Sequence, residues 1–323
     1  MRFLKSMALI FVINVYVKAA TVITPRFDQS KSDQVNTLKI TTLSTMLADK
    51  GIGEWGYAAL IEVDGHKILF DTGNKPKTVL QNALDLNIDL SDVEDVFLSH
   101  NHSDHTGGLL TLRNHLKQKN PKALSRIHVA EGIFSKRVNA ENDMLILKDS
   151  LESDGVIFII HKQQEALFPG VWVTGPIPRL HDERNWSGNS QIETPNGPIE
   201  DRIPEDQSMA INTAKGMVLI SGCGHAGIIN TLEYIKAHIN EAKLYAAIGG
   251  FHLVTANDEH LKWTGEKLKA FGLKKIIGAH CTGINALYAL RTQLNLDRSD
   301  AVVGAVGDYF DLASGIHPGF IAR

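Results

Sequence analysis

The chain has 323 residues and a formal net charge of −3. That length suits one large domain or two fused half-domains, and so small a charge argues against a surface that binds nucleic acid. A hydrophobic content of 43% with 27 glycines is typical of a globular protein with many tight turns. We therefore expect a globular protein with a small-molecule substrate and no nucleic-acid partner; the sequence does not indicate an oligomeric state.

The first 19 residues are typical of a secretory signal peptide. MRFLK is basic, SMALIFVINVYV is apolar and uncharged, and Val17-Lys18-Ala19 precedes Ala20. The apolar run is shorter than the about 20 residues that span a bilayer. We predict a signal peptide at residues 1–19, a single domain over residues 20–323, no stable membrane anchor, and a secreted or periplasmic location. A buried N-terminal strand or helix is the alternative.

Strand and helix patterns alternate from about residue 37. Two β-rich runs, Ala59–Val63 and Lys67–Phe70, are joined at Asp64-Gly65, a dipeptide typical of hairpins. Pro76 stands where a first helical turn would begin, and KTVLQNALDLN continues as a helix. VEDVFLS then predicts a strand, and TGGLLTLRNHLKQKN predicts the helix that follows it.

The middle of the chain gives weaker signals. The segments with strand composition are Arg126–Ala130, Val156–Ile160 and Val171–Thr174. Residues 175–207 follow, and they are rich in proline, glycine and polar groups. A loop of this length in a compact domain is usually functional, so we expect it to shape the choice of substrate, together with Gly53-Glu54-Trp55.

In the C-terminal half, three predicted strands end in sequences that contain histidine. Met217–Ile220 ends in SGCGH, Leu244–Ile248 in GGFH, and Lys275–Ile277 in GAHCTG. Helices are predicted after each, the clearest over Asp258–Phe271 and over INALYALRTQL. In layered α/β proteins, ligands collect where strand ends converge. The sequence therefore predicts one site at one edge of a sheet.

The segment LSHNHSDHTGG, residues 98–108, contributes three histidines and an aspartate to that edge. His100 and His102 are at positions i and i+2, which point the same way on an extended segment. Asp104 and His105 come just before two glycines that allow the chain to turn sharply. Two imidazoles can bind one metal ion while the carboxylate and the third imidazole bind a neighbour. A histidine-rich surface loop with adventitious metal affinity is the alternative.

HNHSDH, with Asp71-Thr72-Gly73 at the end of an earlier strand, resembles the HxHxDH motif of the metallo-β-lactamase superfamily. TGPIPR (174–179), PEDQSM (204–209), SGCGHAGIINT (221–231), IGGFHL (248–253) and AHCTG (279–283) resemble the subgroup named after 7,8-dihydropterin-6-methyl-4-(β-D-ribofuranosyl)aminobenzene-5'-phosphate synthase. The resemblance covers about residue 37 to the end. It implies an α/β fold, the αβ/βα four-layer sandwich, with one or two metal ions at the edge between two back-to-back sheets.

The ligand set implied by the resemblance is incomplete in the middle of the chain. Most members place a third histidine there, and TGPIPRLHDER offers only His181, which could equally be solvated. The usual bridging aspartate falls near SGCGH, so we predict His225 as a ligand, with the Cys223 thiolate as the alternative; Cys223 could also be a small buried thiol of the core. His280 matches the last metal-binding histidine of the superfamily.

Four further residues are expected near the metal ions. Asp71 is predicted to orient a ligand imidazole through its other nitrogen, although an aspartate that only forms the turn is the alternative. His252 could be a ligand, a substrate contact or a group behind a ligand. Cys281 and Thr282 begin the last helix, where free N–H groups could bind a substrate anion; a simple helix cap by Thr282 would explain the same residues.

These residues predict a metal-dependent hydrolase. His100 and His102 would bind one ion and Asp104 and His105 the other, with His225 and His280 completing the set; Asp104 would also be catalytic because it fixes the hydroxide. Zinc is favoured, and iron or manganese is possible. The metal-bound hydroxide would attack a small ester, lactone, lactam or phosphoester.

Two alternatives to hydrolysis are carried forward. The first is a transferase of the subgroup's type, which joins a dihydropterin to a ribofuranosylaminobenzene phosphate; we place it second because such cofactor intermediates are cytosolic and this chain is predicted to be exported. The second is a non-catalytic metal-binding or ligand-binding protein. The complete HxHxDH motif argues against it, because a pure binder needs no water-activating Asp104.

Overall fold

The computed structural model describes residues 33–322. The predicted signal peptide, residues 1–19, and its cleavage before Ala20 lie outside the described residues and stay predictions. Among residues 33–322, no helix combines the length and the apolar character needed to cross a membrane.

Strands and helices alternate along the described chain. The strands are β1 (Leu38–Ser44), β2 (Leu47–Ala48), β3 (Ala58–Val63), β4 (His66–Phe70), β5 (Asp95–Phe97), β6 (Arg126–Ala130), β7 (Ile157–His161), β8 (Glu165–Phe168), β9 (Val171–Val173), β10 (Gln191–Ile192), β11 (Ile199–Glu200), β12 (Ser208–Thr213), β13 (Gly216–Ser221), β14 (Leu244–Gly249), β15 (Lys275–Gly278), β16 (Ala301–Val303), β17 (Ala305–Val306), β18 (Tyr309–Asp311) and β19 (Gly315–His317). The α-helices are α1 (Thr78–Asp85), α2 (Ser103–Thr106), α3 (Leu109–Leu116), α4 (Asp143–Ser153), α5 (Ile228–His238), α6 (Asp258–Phe271) and α7 (Ile284–Leu294). A 3-10 turn covers His280–Thr282.

Two mixed sheets pack back to back. The first has the strand order β19-β18-β1-β3-β4-β5-β6-β7 and the second the order β16-β15-β14-β13-β12-β9-β8. Apolar side chains from both sheets form one buried cluster between them, which includes Phe70, Phe97 and Phe310 from the first sheet and Ile220 and Ile248 from the second. Burial of these inner faces is the main driving force for the packing.

Helices cover the outer face of each sheet. Residues of α1, α3 and α4 form the buried cluster on the first sheet, and residues of α5, α6 and α7 form the cluster on the second. The layers are therefore helix, sheet, sheet and helix, and the predicted αβ/βα four-layer sandwich is confirmed.

The parallel parts of the two sheets position the site. Strands β4 to β7 are parallel in the first sheet, as are β13 to β16 in the second. In the second sheet Ser221 pairs with Gly249, and Gly249 pairs with Gly278. The loops after β13, β14 and β15 therefore leave the sheet at the same level, next to the loop that follows β5.

The predicted elements differ from the structure at a few points. The helix expected from Pro76 begins at Thr78, because Pro76 and Lys77 form a turn. The helix predicted over TGGLLTLRNHLKQKN begins at Leu109, after Gly107-Gly108, as α3, and the short α2 lies within the histidine motif itself. Helix α4 was not predicted, although Asn142 caps it by accepting a hydrogen bond from the Leu145 backbone N–H. Residues 175–207 form a long connection, as expected, with the short hairpin β10–β11 inside it.

Phe97 tests how strongly the inter-sheet cluster holds the fold. It is fully buried and stacks on Phe70 with ring centroids 4.8 Å apart. Phe97→Ala should lower the free energy of unfolding by about 3–5 kcal/mol, because the change removes a buried ring and leaves a cavity. Ile146→Ala, at an exposed position on α4, should change it by less than about 0.5 kcal/mol. Urea denaturation of both variants measures this, and equal effects would contradict the proposed core.

Candidate metal centre

Histidine, aspartate and cysteine side chains from both sheets meet at the edge where these loops converge. The donor atoms of His100, His102 and Asp104 lie within 4.8 Å of one another, and so do those of His100, Cys223 and His225. The same holds for a third set, formed by Asp104, His105, Cys223 and His280. We name His100, His102 and His225 the first half-site, and Asp104, His105 and His280 the second half-site. Cys223 belongs to sets on both sides and lies between them.

The first half-site contains imidazoles whose free nitrogens converge. His100 Nε2 lies 3.0 Å from His102 Nδ1, and the His225 ring centroid is 4.6 Å from that of His100. His225 Nδ1–H donates to the Asn185 carbonyl oxygen, which fixes the tautomer. His225 Nε2 is then left buried without a hydrogen-bond partner, as expected for a nitrogen that binds a cation.

The second half-site lies beside the first. His105 Nε2 is 3.1 Å from Cys223 Sγ, and His280 Nε2 is 3.3 Å from Asp104 Oδ2. The other ring nitrogen of His280, Nδ1, is buried without a hydrogen-bond partner. The backbone N–H of His280 donates to Thr45 Oγ1 at 3.1 Å, which helps to hold its positive φ of 46°.

A buried carboxylate, Asp71, connects the two half-sites. Its Oδ2 accepts hydrogen bonds from His105 Nδ1–H and from Ser99 Oγ–H, each at 2.7 Å, and its Oδ1 accepts from the Ser99 backbone N–H at 2.7 Å. The same Ser99 oxygen lies 2.9 Å from His100 Nδ1. Because the Ser99 proton points to Asp71, His100 Nδ1–H is the donor to Ser99 and His100 Nε2 keeps its lone pair for a ligand.

Gly222 leaves the space that this arrangement needs. A Cβ atom at Gly222 would lie 2.1 Å from Ser99 Oγ and 2.7 Å from Asp71 Oδ2. Both distances are far inside van der Waals contact, so a side chain here would displace the hydrogen bonds that orient His100 and His105. The glycine before Cys223 therefore allows the second sheet to approach the first.

Burial keeps most of these imidazoles neutral. It lowers the pKa of His100 and of His225 well below the usual value, and it lowers the pKa of His102 to about 4. His105 differs: burial again opposes its charge, but the adjacent Asp71 carboxylate outweighs burial and raises the pKa of His105 to about 9. Burial opposes charge on Asp104 also, yet His280 and His105 lower the pKa of its carboxyl.

These residues fit a metal ion. Imidazoles with unpartnered buried nitrogens, a carboxylate with a lowered pKa and a buried thiol form one cluster. Without a cation, such unpaired polar atoms would carry the full cost of burial. Imidazole, carboxylate and thiolate together are donors that zinc, iron and manganese accept.

The remaining predicted residues do not all lie at the metal-type cluster. His252 and Cys281 lie with Cys223 in a set whose donor atoms are within 4.8 Å of one another, and both cysteines are free thiols. Thr282 is buried; its hydroxyl donates to the Gly249 carbonyl and accepts from the Phe251 N–H. The expectation that Cys281 and Thr282 begin the last helix is not met: they lie in the 3-10 turn, α7 begins at Ile284 after Gly283, and the Thr282 hydroxyl bonds to the β14 loop instead of capping the helix. His181 packs against Trp263 with ring centroids 5.6 Å apart, away from the cluster.

A cavity of about 420 Å³ adjoins the first half-site. Its lining includes His102, His225 and His252 together with residues of the long connection, which are Arg184, Asn185, Trp186, Ser187, Ser190, Asp201 and Ile203. The connection does therefore border the site, as expected from its length. Trp55 is on the second half-site, half exposed, with its ring centroid 4.6 Å from that of His280.

Sequence reasoning missed Ser99 and Asn185. Ser99 directly precedes the histidine motif, and a hydroxyl at that position could have been recognised as a group that orients the next residue. Asn185 acts through its backbone carbonyl. Every residue type has this group, so the sequence could not indicate its role.

The fold and the site define a known class of enzyme. Residues 56–234 match the metallo-β-lactamase superfamily, and the chain belongs to that superfamily. The chain is 32% identical over 272 residues to 7,8-dihydropterin-6-methyl-4-(β-D-ribofuranosyl)-aminobenzene-5'-phosphate synthase of Methanocaldococcus jannaschii, an alignment that covers 78% of this chain and 90% of the relative. The resemblance to this subgroup is confirmed.

Two solved structures show the same fold. The crystal structure of Tm1679, described as a metal-dependent hydrolase of the β-lactamase superfamily, matches with a TM-score of 0.67 at 23% identity and covers 84% of this chain and 98% of that one. Zn(2+)-bound PqqB from Methylobacterium extorquens matches with a TM-score of 0.54 at 14% identity and covers 85% and 100%. At these identities the likeness establishes the fold alone.

The prediction of a hydrolase is wrong. A relative that aligns over most of both chains is a synthase, which favours the transferase alternative. The physical reason is that HNHSDH encodes ligands for a cation, and a cation of this kind can assist either water or another nucleophile. The reacting nucleophile depends on the cavity, which the motif does not describe.

Asp71→Asn tests the link between the half-sites. An amide keeps the shape but loses the charge, and one of its two polar atoms is a donor, so it cannot accept all three hydrogen bonds from Ser99 and His105 that the carboxylate accepts. Metal affinity should fall by about 10-fold to 100-fold, as measured by competition with a chromogenic chelator. Asp92→Asn, which removes an exposed carboxylate paired with Lys67, is the control and should leave affinity unchanged. Equal affinities for all three proteins would refute the role of Asp71.

The pKa of His105 predicts how the metal-free protein responds to pH. Because the pKa is raised from 6.5 to about 9, the charged pair with Asp71 stabilises the fold fully below about pH 6.5, and this contribution is lost as pH rises through about 9. The chelated wild type should therefore lose stability over this window, and chelated Asp71→Asn should lose less. Urea denaturation at several pH values measures the difference, and parallel curves would count against the pair.

Proposed function

We propose that the protein is a transferase that joins a 7,8-dihydropterin, through its 6-methyl carbon, to the amino nitrogen of a 4-(β-D-ribofuranosyl)aminobenzene 5'-phosphate. The observation that carries the proposal is the 32% identity over 78% of this chain and 90% of a synthase named for that product. The metal-type cluster beside a cavity of about 420 Å³ supports it, because a cavity of this size suits a small organic substrate.

The named product defines the bond that forms. The amine nitrogen attacks the 6-methyl carbon with its lone pair, the bond from that carbon to a leaving group breaks, and the nitrogen then loses a proton. Hydroxide is a poor leaving group, so we infer that the pterin donor is a phosphate or diphosphate ester. Phosphate or diphosphate then leaves with the bonding electrons, and the reaction balances without an oxidant or a reductant.

The chain's own residues would hold the metal ions for this reaction. The first half-site would bind one ion and the second half-site another, with Cys223 between them; zinc suits these ligands, and iron or manganese are alternatives. A bound cation would supply Lewis-acid stabilisation of the charge on the departing phosphate oxygens. Asp71 orients His105 directly and His100 through Ser99.

A transferase must also keep water from competing with the amine. Expulsion of water from a closing site prevents such side reactions. The connection between β9 and β12 lines the cavity with Asn185, Trp186 and Ile203, and we assign it this task. Exclusion of water is the property that distinguishes the proposed reaction from hydrolysis at the same metal-type cluster.

The direct test supplies both proposed substrates. The metal-loaded protein is incubated with the monophosphate or the diphosphate of 6-hydroxymethyl-7,8-dihydropterin, with and without 4-(β-D-ribofuranosyl)aminobenzene 5'-phosphate, and the products are separated and identified by mass spectrometry. We expect the joined product, and release of phosphate or diphosphate that depends on the amine. Release at the same rate without the amine, and no joined product, would overturn the proposal.

Single substitutions in the cluster should not be equivalent. His102→Ala should lose metal and product formation together, because the side chain is proposed as a ligand only. Asp104→Asn removes the charge that favours a second cation, so it should keep about one ion per chain and lose most turnover. His115→Ala, exposed on α3, should change neither. Elemental analysis and product assays on dialysed variants check this, and full metal content with full rate in Asp104→Asn would disprove the two-ion arrangement.

A further inference from the structure

The cavity beside the first half-site contains one feature that metal binding does not use. Among the described residues that line it, Arg184 is the single lysine or arginine. Ser187 and Ser190 line the same cavity and offer hydroxyl groups. A guanidinium with neighbouring hydroxyls is a typical site for a phosphate monoester.

Arg184 shares its carboxylate partner with a second arginine. Glu200 Oε1 accepts a hydrogen bond from Arg184 Nη2, and Glu200 Oε2 accepts one from Arg202 Nε, each at 2.9 Å. One carboxylate therefore faces two guanidiniums. The other carboxylate at the cavity, Asp201, is already paired with Arg137 at 2.8 Å. Arg184 is the member of this group of arginines that lines the cavity, so an anionic group that enters would meet its guanidinium there.

Trp186 adds a flat surface next to this charge. Its ring lines the cavity, and the guanidinium carbons of Arg184 and Arg202 each lie 5.6 Å from the ring centroid. Trp186 Nε1–H donates to Glu200 Oε1 at 3.1 Å, which helps to fix the ring. An aromatic ring held in this way can pack against a planar substrate group such as an aminobenzene.

We propose that Arg184 binds the 5'-phosphate of the ribosyl arylamine and that Trp186 packs against its ring or ribose. The inference rests on the proposed function. The leaving phosphate of the pterin donor belongs at the metal ligands, where the bond breaks. The 5'-phosphate is remote from the reacting nitrogen and needs a cation of its own, and the cavity supplies Arg184 for it.

The test compares the arylamine 5'-phosphate with the same riboside lacking the phosphate. Arg184→Gln should raise KM for the phosphorylated arylamine by about 10-fold to 100-fold, since a charge-assisted bidentate interaction is lost. KM for the unphosphorylated riboside and for the pterin donor should stay within about twofold. Arg184→Lys should recover part of the loss, because lysine keeps the charge but not the fork geometry.

Arg202→Gln is the matched control. Arg202 has the same partner, Glu200, and the same distance to the Trp186 ring as Arg184, but it does not line the cavity. Its substitution should leave both KM values within about twofold of the wild type. Thermal unfolding of each variant verifies that the fold is retained.

Several outcomes would overturn the proposal. An equal rise in KM for both arylamines would show that Arg184 does not contact the phosphate. A rise in KM for the pterin donor alone would assign Arg184 to the donor. An effect of Arg202→Gln as large as that of Arg184→Gln would indicate a diffuse charge effect rather than a defined contact.

Binding without turnover separates this inference from the proposed reaction. Calorimetry measures the affinity of the metal-loaded protein for the arylamine 5'-phosphate with no pterin present. A loss of affinity by about 10-fold or more in Arg184→Gln supports the phosphate subsite. This holds even if the wild type forms no joined product, a result that would refute the proposed reaction and leave the subsite supported. Unchanged affinity in Arg184→Gln would refute the subsite whatever the reaction proves to be.

Discussion

The buried carboxylate of Asp71 is the interaction on which the metal centre depends. It has no exposed surface, adopts a positive φ of 54°, and accepts hydrogen bonds from the residue before the histidine motif and from its last histidine. A buried carboxylate is costly unless its oxygens are satisfied, so Ser99 and His105 must keep these positions. One residue at the end of β4 thereby sets the orientation of imidazoles in both half-sites.

The packing of the two sheets imposes a second constraint. The first sheet supplies His100 to His105, and the second supplies Cys223, His225 and His280. Gly222 lies where the sheets come closest, and the register of Ser221 with Gly249 and of Gly249 with Gly278 brings the second-sheet loops to one level. The site thus forms where the two sheets meet, and its residues come from several loops.

The sequence was sufficient to predict the parts that the chain encodes locally. The HNHSDH segment and the histidines after three strands are adjacent to their strands in the sequence, so their common edge followed from the strand pattern. The choice between Cys223 and His225 stayed open, because the motif does not show that the His225 ring lies beside His100 while Cys223 is placed between the half-sites. Helix α4 was missed because its two buried residues, Met144 and Leu151, are too few to give an apolar stripe.

The motif could not predict the type of reaction, for a different reason. Whether water or an amine attacks depends on residues that line the cavity, and these come from the long connection, where composition indicates a loop and nothing more. The predicted export also weighed against the transferase, although a signal for location says nothing about the reacting atoms. The fold places Arg184, Trp186 and Asn185 next to His102 and His225. Their roles can be inferred only from that placement.

The separation of the ligands along the chain has a mechanical consequence. His105 and Cys223 are 118 positions apart and their side chains touch, so a cation held by both half-sites would act as a cross-link that closes a very long loop. The hydrophobic contact between the sheets is not directional, whereas metal–ligand bonds fix the distances between the donor atoms. Occupancy of the centre would therefore add a fixed link between the two halves of the sandwich, next to the cavity.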